Sequence, residues 1–228
     1  MAKEPISQAT QQFLARSPFK LFIGGKWVEA STGQLLRTDN PSDGACLAEM
    51  AAAGVPDVEA AVTAARSAFE TTWGRMGPGD REACLRKLGD LITQHAGELA
   101  EIESLDNGKP LKKTRMIDTR VAARLAYHFS GWPGKIVGHT PSVGALDHFV
   151  YTRREPLGVV AIVIPWNYPL IHAVQKMGPA LACGNTVVLK PAQWASLPIL
   201  RLGELIQEAG FPEGAVNIIT GPGAVIGA

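Results

Sequence analysis

A chain of 228 residues with 46% hydrophobic and 19% charged side chains can bury a sizeable core, in one large domain or two small ones. Its formal net charge of +1 supplies no field that would draw nucleic acid or an anionic membrane, and no stretch reaches the roughly 18 consecutive apolar residues of a membrane span. Cys46, Cys84 and Cys183 are odd in number and far apart, which excludes a disulfide framework and a paired metal site and fits a reducing cytoplasm.

Residues 1–18 are polar, lack the apolar core of a secretory signal and are expected to form a mobile or loosely docked arm. Between Leu21 and Met50, short β-type runs are broken at Gly24-Gly25, Thr32-Gly33 and Asn40-Pro41, the pattern of small antiparallel strands. Helical periodicity follows. Asp57 is a cap candidate for a helix carrying Val58, Ala61, Val62, Ala65 and Phe69 on one stripe, and Asp80 for one carrying Cys84, Leu88, Leu91 and Ile92. A third helix opens at Gly97, carries Leu99, Ile102 and Leu105, and stops at Asn107-Gly108 before Pro110. A fourth is predicted from about Pro110 to Ser130, with Ile117, Val121, Leu125 and Phe129 as its apolar repeat and Gly131 at its end. Its basic cluster of Lys112, Lys113 and Arg115 reads as a solvated face.

Phe149, Val150, Tyr151 and Thr152 make a candidate strand. The β-branched run over 158–164 then predicts a strand covered on both faces. A helix over 169–182, a strand over 186–190, a helix over 196–209 and a strand over 215–220 complete a βαβαβ unit with a parallel sheet. That is a mononucleotide-binding half of the Rossmann kind. The predicted fold class is α/β: an incomplete Rossmann-like parallel sheet, preceded by a helical segment and small antiparallel β elements.

Ligands of open α/β sheets sit beyond the carboxyl ends of the strands, and three such ends carry unusual groups. After the first come Ile164, Pro165, Trp166 and Asn167. Flanking prolines restrict this turn, so the Asn167 amide is either an oxyanion donor or a turn residue bonding its own backbone. After the second come Lys190 and Gln193; Lys190 either meets a ribose or phosphate or points into water, and Gln193 can share the same ribose. Trp166 packs around a nicotinamide ribose or belongs to the core. After the third, Gly221, Gly223 and Gly227 form either a phosphate-binding turn before a helix N-terminus or a plain turn. A standard dinucleotide fingerprint follows the first strand, and here the glycines follow the third.

The segments REPLGVV (154–160), IPWNYPL (164–170), GPALACGNTVVLKPA (178–192) and EAGFPEGAVN (208–217) resemble, in order and spacing, the aldehyde dehydrogenase superfamily. FIGGKWV (22–28), Asn40-Pro41, LDNGKP (105–110) and Ser130-Gly131-Trp132 add to the likeness, which covers about residues 20–228. The resemblance implies NAD(P)-dependent oxidation of a small aldehyde: a cysteine thiolate attacks the carbonyl, hydride passes to NAD or NADP, and water hydrolyses the thioester with help from a glutamate. By position Asn167 corresponds to the oxyanion-stabilising asparagine and Lys190 to the lysine on the adenosine ribose. Gly223 and Gly227 lie in the phosphate turn, and Ile164, Pro165 and Trp166 line the cofactor. Where many NAD-preferring members carry a glutamate this chain has Gln193, so tolerance of NADP is expected.

The resemblance also implies a division of the chain. Residues 1–20 are a polar arm, and residues 21–130 hold the amino-terminal β elements and helices of the NAD(P)-binding domain. Residues 131–156 resemble part of an oligomerisation domain, and 157–228 form the βαβαβ cofactor unit. The family's cysteine and glutamate lie beyond Ala228, and Cys46, Cys84 and Cys183 do not match the nucleophile. Only Asn167 of the catalytic group is expected in this chain, which is expected to be inactive alone and marginally stable. Apolar faces or unpaired edges are expected on the strands near 157–164 and 215–220. Tyr168, Ile171, His172 and Gln175 are candidates for the near side of the aldehyde pocket. The expectation is therefore a cytoplasmic enzyme portion with no metal site, homo-oligomeric in its full-length form. A non-catalytic dinucleotide-binding or oligomerisation module is the alternative; an acyl-CoA or acyl-phosphate reductase is disfavoured by the PWN and KPA loops.

Overall fold

The computed structural model describes residues 5–144 and 147–227. Five strands form the main sheet in the order β2-β1-β7-β6-β5: β1 (Leu21–Ile23), β2 (Lys26–Val28), β5 (Val159–Val163), β6 (Thr186–Lys190) and β7 (Val216–Ile218). β5, β6 and β7 are parallel, joined by α7 (Pro169–Ala182) and α8 (Leu197–Glu208). A separate hairpin pairs β3 (Leu35–Asp39) with β4 (Cys46–Ala51).

The hairpin β1–β2 lies antiparallel on the outer side of β7, with Phe22 opposite Ile218. This corrects the expectation of an unpaired edge at 215–220. Asn217 explains the docking: buried in β7, its Oδ1 accepts from Gly24 N–H at 2.8 Å, while Nδ2 donates to Gly214 O at 2.9 Å. A polar side chain in a central strand is tolerable because its bonds replace those to water. β5 is the opposite edge, and there exposed apolar groups are found: Val163 is 64% exposed and the neighbouring Leu157 91%.

Alternation along the strands distributes the core to both faces. Val187, Leu189, Val216 and Ile218 enter the large cluster with α3 (Pro78–Gln94), α7 and α8, while Val188 and Ile219 pack with Ala61 and Ala65 of α2 (Val55–Thr71). Asp57 and Asp80 stand in the first turns of α2 and α3, after Gly54 and Gly77 at the N-caps. Asp57 still closes its helix from inside, accepting from Gly54 N–H at 2.8 Å and from Ser31 Oγ at 2.8 Å. Val62 of the predicted stripe is exposed, and Ala68 is buried instead.

α1 (Gln8–Leu14) replaces the loose arm, with Thr10 and Phe13 buried. Its anchor is Glu101, whose carboxylate accepts from Thr10 Oγ1 and Ser7 Oγ, both at 2.7 Å. α4 (Ala96–Asn107) ends at Gly108, whose φ of +76° is the left-handed conformation the Asn-Gly pair predicts.

The predicted fourth helix is interrupted. α5 (Leu111–Lys113) passes into a π turn over Thr114–Asp118 and then α6 (Thr119–Ser130). Hydroxyl groups enter the backbone ladder here: Thr114 Oγ1 donates to Ala100 O at 2.8 Å and Thr119 Oγ1 lies 3.4 Å from Thr114 O. The wider turn rotates the buried face onto Asp118, Thr119, Ala122, Ala123 and Ala126, leaving Ile117 exposed. Small residues let α6 approach α3 and α7 closely, Tyr127 lying over Gly89 and Phe129 over Gly178.

Phe149–Thr152 is not a strand among the described residues. A strand needs a ladder, and this segment is tied back only at Thr152, whose N–H donates to His139 O at 2.8 Å. Gly138 allows that approach, since a Cβ there would strike Thr152 O.

Candidate active site

The three parallel strands end side by side. Ile164, buried, donates its N–H to Lys190 O at 3.1 Å, and Ile219 donates to Leu189 O at 3.0 Å. Every residue predicted from the strand ends therefore meets at one end of the sheet. Beyond Ile164 the chain turns outward: Pro165, Trp166, Asn167 and Tyr168 are exposed, and Pro169 starts α7. Trp166, 56% exposed, is not core. The Asn167 side chain makes no hydrogen bond among the described residues. The turn is held through its main chain instead, Asn107 Nδ2 lying 3.4 Å from Trp166 O and 3.5 Å from Asn167 O. The Asn167 amide thus remains available to a ligand.

Lys190 is buried at 8% exposure, which is not the posture of a lysine pointing into water. Its ammonium donates to Pro191 O at 3.2 Å and pairs with no carboxylate among the described residues. Burial lowers its affinity for its proton. A buried, underpartnered cation at one strand end and a free amide after the neighbouring one are polar groups that a polyhydroxyl or anionic ligand can complete. Gln193 is half-buried and forms no side-chain bond among the described residues; Trp194, 67% exposed, stands next to it.

The glycines of the third strand end serve separate purposes. A Cβ on Gly221 would lie 2.7 Å from Ile226 Cδ1, and one on Gly227 2.7 Å from Gly223 O, so both are glycine for packing. Gly223 is exposed, and a Cβ there would meet no protein atom within 4 Å, which leaves room for a ligand. It opens the short helix α9 (Gly223–Ile226), whose first N–H groups have no acceptor within the helix.

Sequence reasoning missed two buried carboxyl groups one turn apart on α4. Asp106 accepts from Thr38 Oγ1 at 2.7 Å and from Leu197 N–H, at the start of α8, at 2.8 Å. Glu103 accepts from Leu170 N–H, at the start of α7, at 3.2 Å. Burial pushes the Asp106 carboxyl up to about 7. Burial, with Asp118 adding to it, pushes Glu103 up to about 9. The LDNGKP stretch (105–110) was the available signal for Asp106; Glu103 lies before it and carried none.

Helices on a parallel sheet, with polar groups converging at the strand ends, define the nucleotide-binding class of α/β protein. The profile of the aldehyde dehydrogenase family matches residues 27–228, and the chain belongs to that family. It is 48% identical over 206 residues to a putative aldehyde dehydrogenase of Bacillus subtilis (strain 168), covering 90% of this chain and 41% of the relative. It is 44% identical over 218 residues to a phenylacetaldehyde dehydrogenase of Pseudomonas fluorescens, covering 93% of this chain and 43% of that one. An aldehyde dehydrogenase of Bacillus cereus, solved as its NAD+ complex, superposes with a TM-score of 0.96 at 41% identity, over 99% of this chain and 46% of that chain. The chain thus spans less than half the length of these relatives. Among the described residues no cluster of His, Cys, Asp or Glu could hold a metal, and no helix is long and apolar enough to cross a membrane.

Proposed function

We propose that this chain binds NAD or NADP across the ends of β5, β6 and β7 and contributes the carbonyl-polarising group for oxidation of a small aldehyde to a carboxylic acid. The buried, underpartnered Lys190 at the end of β6 carries the reading. Lys190 and Gln193 bind the ribose, the turn opened by Gly223 and closed on itself by Gly227 receives the phosphates at its Gly223 side, and Ile164, Pro165 and Trp166 line the nicotinamide side. Asn167 donates to the aldehyde oxygen as negative charge develops there. When bound, the dinucleotide supplies the electron acceptor. Cys84 bonds Gly210 O, before β7, and Cys183 precedes β6; both are at the amino end of the sheet, and Cys46 is on the separate hairpin. The covalent step therefore depends on a thiol other than these, and the chain alone is inactive. Three free thiols support a cytoplasmic location.

Nucleotide titration of the whole chain, followed by calorimetry, tests this. Saturable binding is expected for NAD+ and NADP+, and Lys190→Met should weaken it at least tenfold with an unchanged circular dichroism spectrum. Absence of saturable binding for both nucleotides sinks the reading. Exposed Phe149 and Tyr151, at 80% and 65%, favour a second role for the segment around them, as a surface covered by another copy in a homo-oligomer. Sedimentation at rising concentration checks it, a purely monomeric profile counting against it.

A further inference from the structure

Tyr168, at the N-cap of α7, makes no side-chain capping bond, and Pro169 at the next position has no N–H to satisfy. The first free N–H of the helix, Leu170, is instead received by Glu103 from a helix 67 positions earlier in the chain. A distant cap does what a local one cannot: it ties the orientation of the turn to another element. Three more contacts join the same two segments. Asn107 faces the carbonyls of Trp166 and Asn167 at 3.4 and 3.5 Å. The Lys109 ammonium sits 3.7 Å from the centre of the Tyr168 ring, and Asp118 grips that ammonium from the π turn. π turns inside helices often mark functional positions, and this one carries Asp118.

We infer that Glu103, Asn107, Lys109 and Asp118 are positioning residues that hold the Asn167 turn with its side-chain amide free. The inference rests on the proposed role of Asn167 for its functional meaning, while the holding itself can be measured without cofactor. Glu103 and Asp118 are fully or almost fully buried, and one oxygen of each, Oε1 and Oδ1, has no N–H or O–H partner. Burial, with the neighbouring Asp118 adding to it, keeps a proton on the Glu103 carboxyl. Lys109, 3.7 Å from Glu103 Oε1, offsets the remaining charge. The titratable groups around Glu103 are thus Asp118 from the π turn and Lys109 from the turn after α4. On the α7 side stand Tyr168, above Lys109, and His172, edge-on to Tyr168 at 6.2 Å. Loss of the Glu103 proton adds a second negative charge beside the Lys109 ammonium that Asp118 already holds, and loosens the turn.

Amide NMR of the full chain without nucleotide tests this through the Trp166 indole and the Asn167 side-chain amide. In the wild type both signals should shift together between pH 7 and pH 10, with a midpoint near 9. Glu103→Gln keeps an acceptor for Leu170 and gains a donor for Asp118, so it should preserve the pH 7 positions and abolish the shift. Glu103→Ala should displace both signals at every pH. Asn107→Ala, at a half-buried residue on the last turn of α4, should speed hydrogen exchange of the Asn167 and Leu170 amides at least threefold. A titration that persists in Glu103→Gln, or unchanged exchange in Asn107→Ala, overturns the inference. Addition of NAD+ is read separately: signals that ignore it count against the role of Asn167 and leave the positioning standing.

Discussion

Gln193 is the residue at which nucleotide preference is decided in the proposed site. A neutral amide accepts a ribose hydroxyl and exerts no repulsion on a 2′-phosphate, whereas a carboxylate does both jobs in opposite directions. Gln193→Glu is expected to leave NAD+ affinity within about threefold and to weaken NADP+ by ten- to a hundredfold, about 1.4–2.7 kcal/mol. Competition calorimetry with the two nucleotides measures the ratio, and an unchanged ratio would remove Gln193 from the specificity argument. Asn167, Lys190 and the glycine turn are legible in the sequence because strand ends in this architecture face ligands by rule. Whether each side chain is free or engaged is not legible there. Burial of the Lys190 ammonium and the unbonded state of the Asn167 amide follow from neighbours contributed by other parts of the chain.

At the scale of elements, α4 reaches both site loops, Glu103 holding the start of α7 and Asp106 the start of α8. Both carboxyl groups are raised, from 4.5 to about 9 for Glu103 and from 3.8 to about 7 for Asp106, burial being the largest cause. A raised carboxyl keeps its proton in the folded chain where the unfolded chain has lost it. The unfolded state then binds fewer protons, and stability falls as pH rises, up to pH 7 for Asp106 and up to pH 9 for Glu103. The melting temperature is expected to decline from pH 5 to pH 9, and Glu103→Gln should flatten the decline. Parallel slopes for the two proteins would remove Glu103 as its source. None of this could be seen in a helical wheel, because Ile117, Val121 and Leu125 score as an apolar stripe whether or not a π turn intervenes. Thr114, whose hydroxyl enters the ladder, is an ordinary helix residue until Ala100 is brought beside it.

Across the whole molecule, the amino-terminal segments act as covers for the nucleotide-binding unit. β1–β2 seals β7, and α1 docks on α4 through Glu101. Burial opposes ionisation of Glu101, yet the bonds from Ser7, Thr10 and Arg115 outweigh it and hold the carboxyl below its ordinary range. Phe13, 1% exposed and 4.6 Å from Phe19 between ring centres, provides the apolar anchor. Phe13→Ala is expected to cost about 3–5 kcal/mol, read by urea unfolding, and to speed tryptic cleavage after Arg16 by loosening α1. Unaltered cleavage at Arg16 with a small stability change would restore the loosely docked arm.

What the amino-acid sequence determined by itself was local and periodic: the βαβαβ order, the Gly108 stop, the family likeness and the residues at three strand ends. These depend on spacing and backbone restriction over a few positions, which a single chain displays directly. Only the tertiary structure decided that β7 is an interior strand, that residues 8–14 form a packed helix, and that a buried carboxyl group fastens the Asn167 turn. Each of those outcomes joins groups tens of residues or more apart, where the deciding quantity is the desolvation of one polar group against the partner the fold delivers to it.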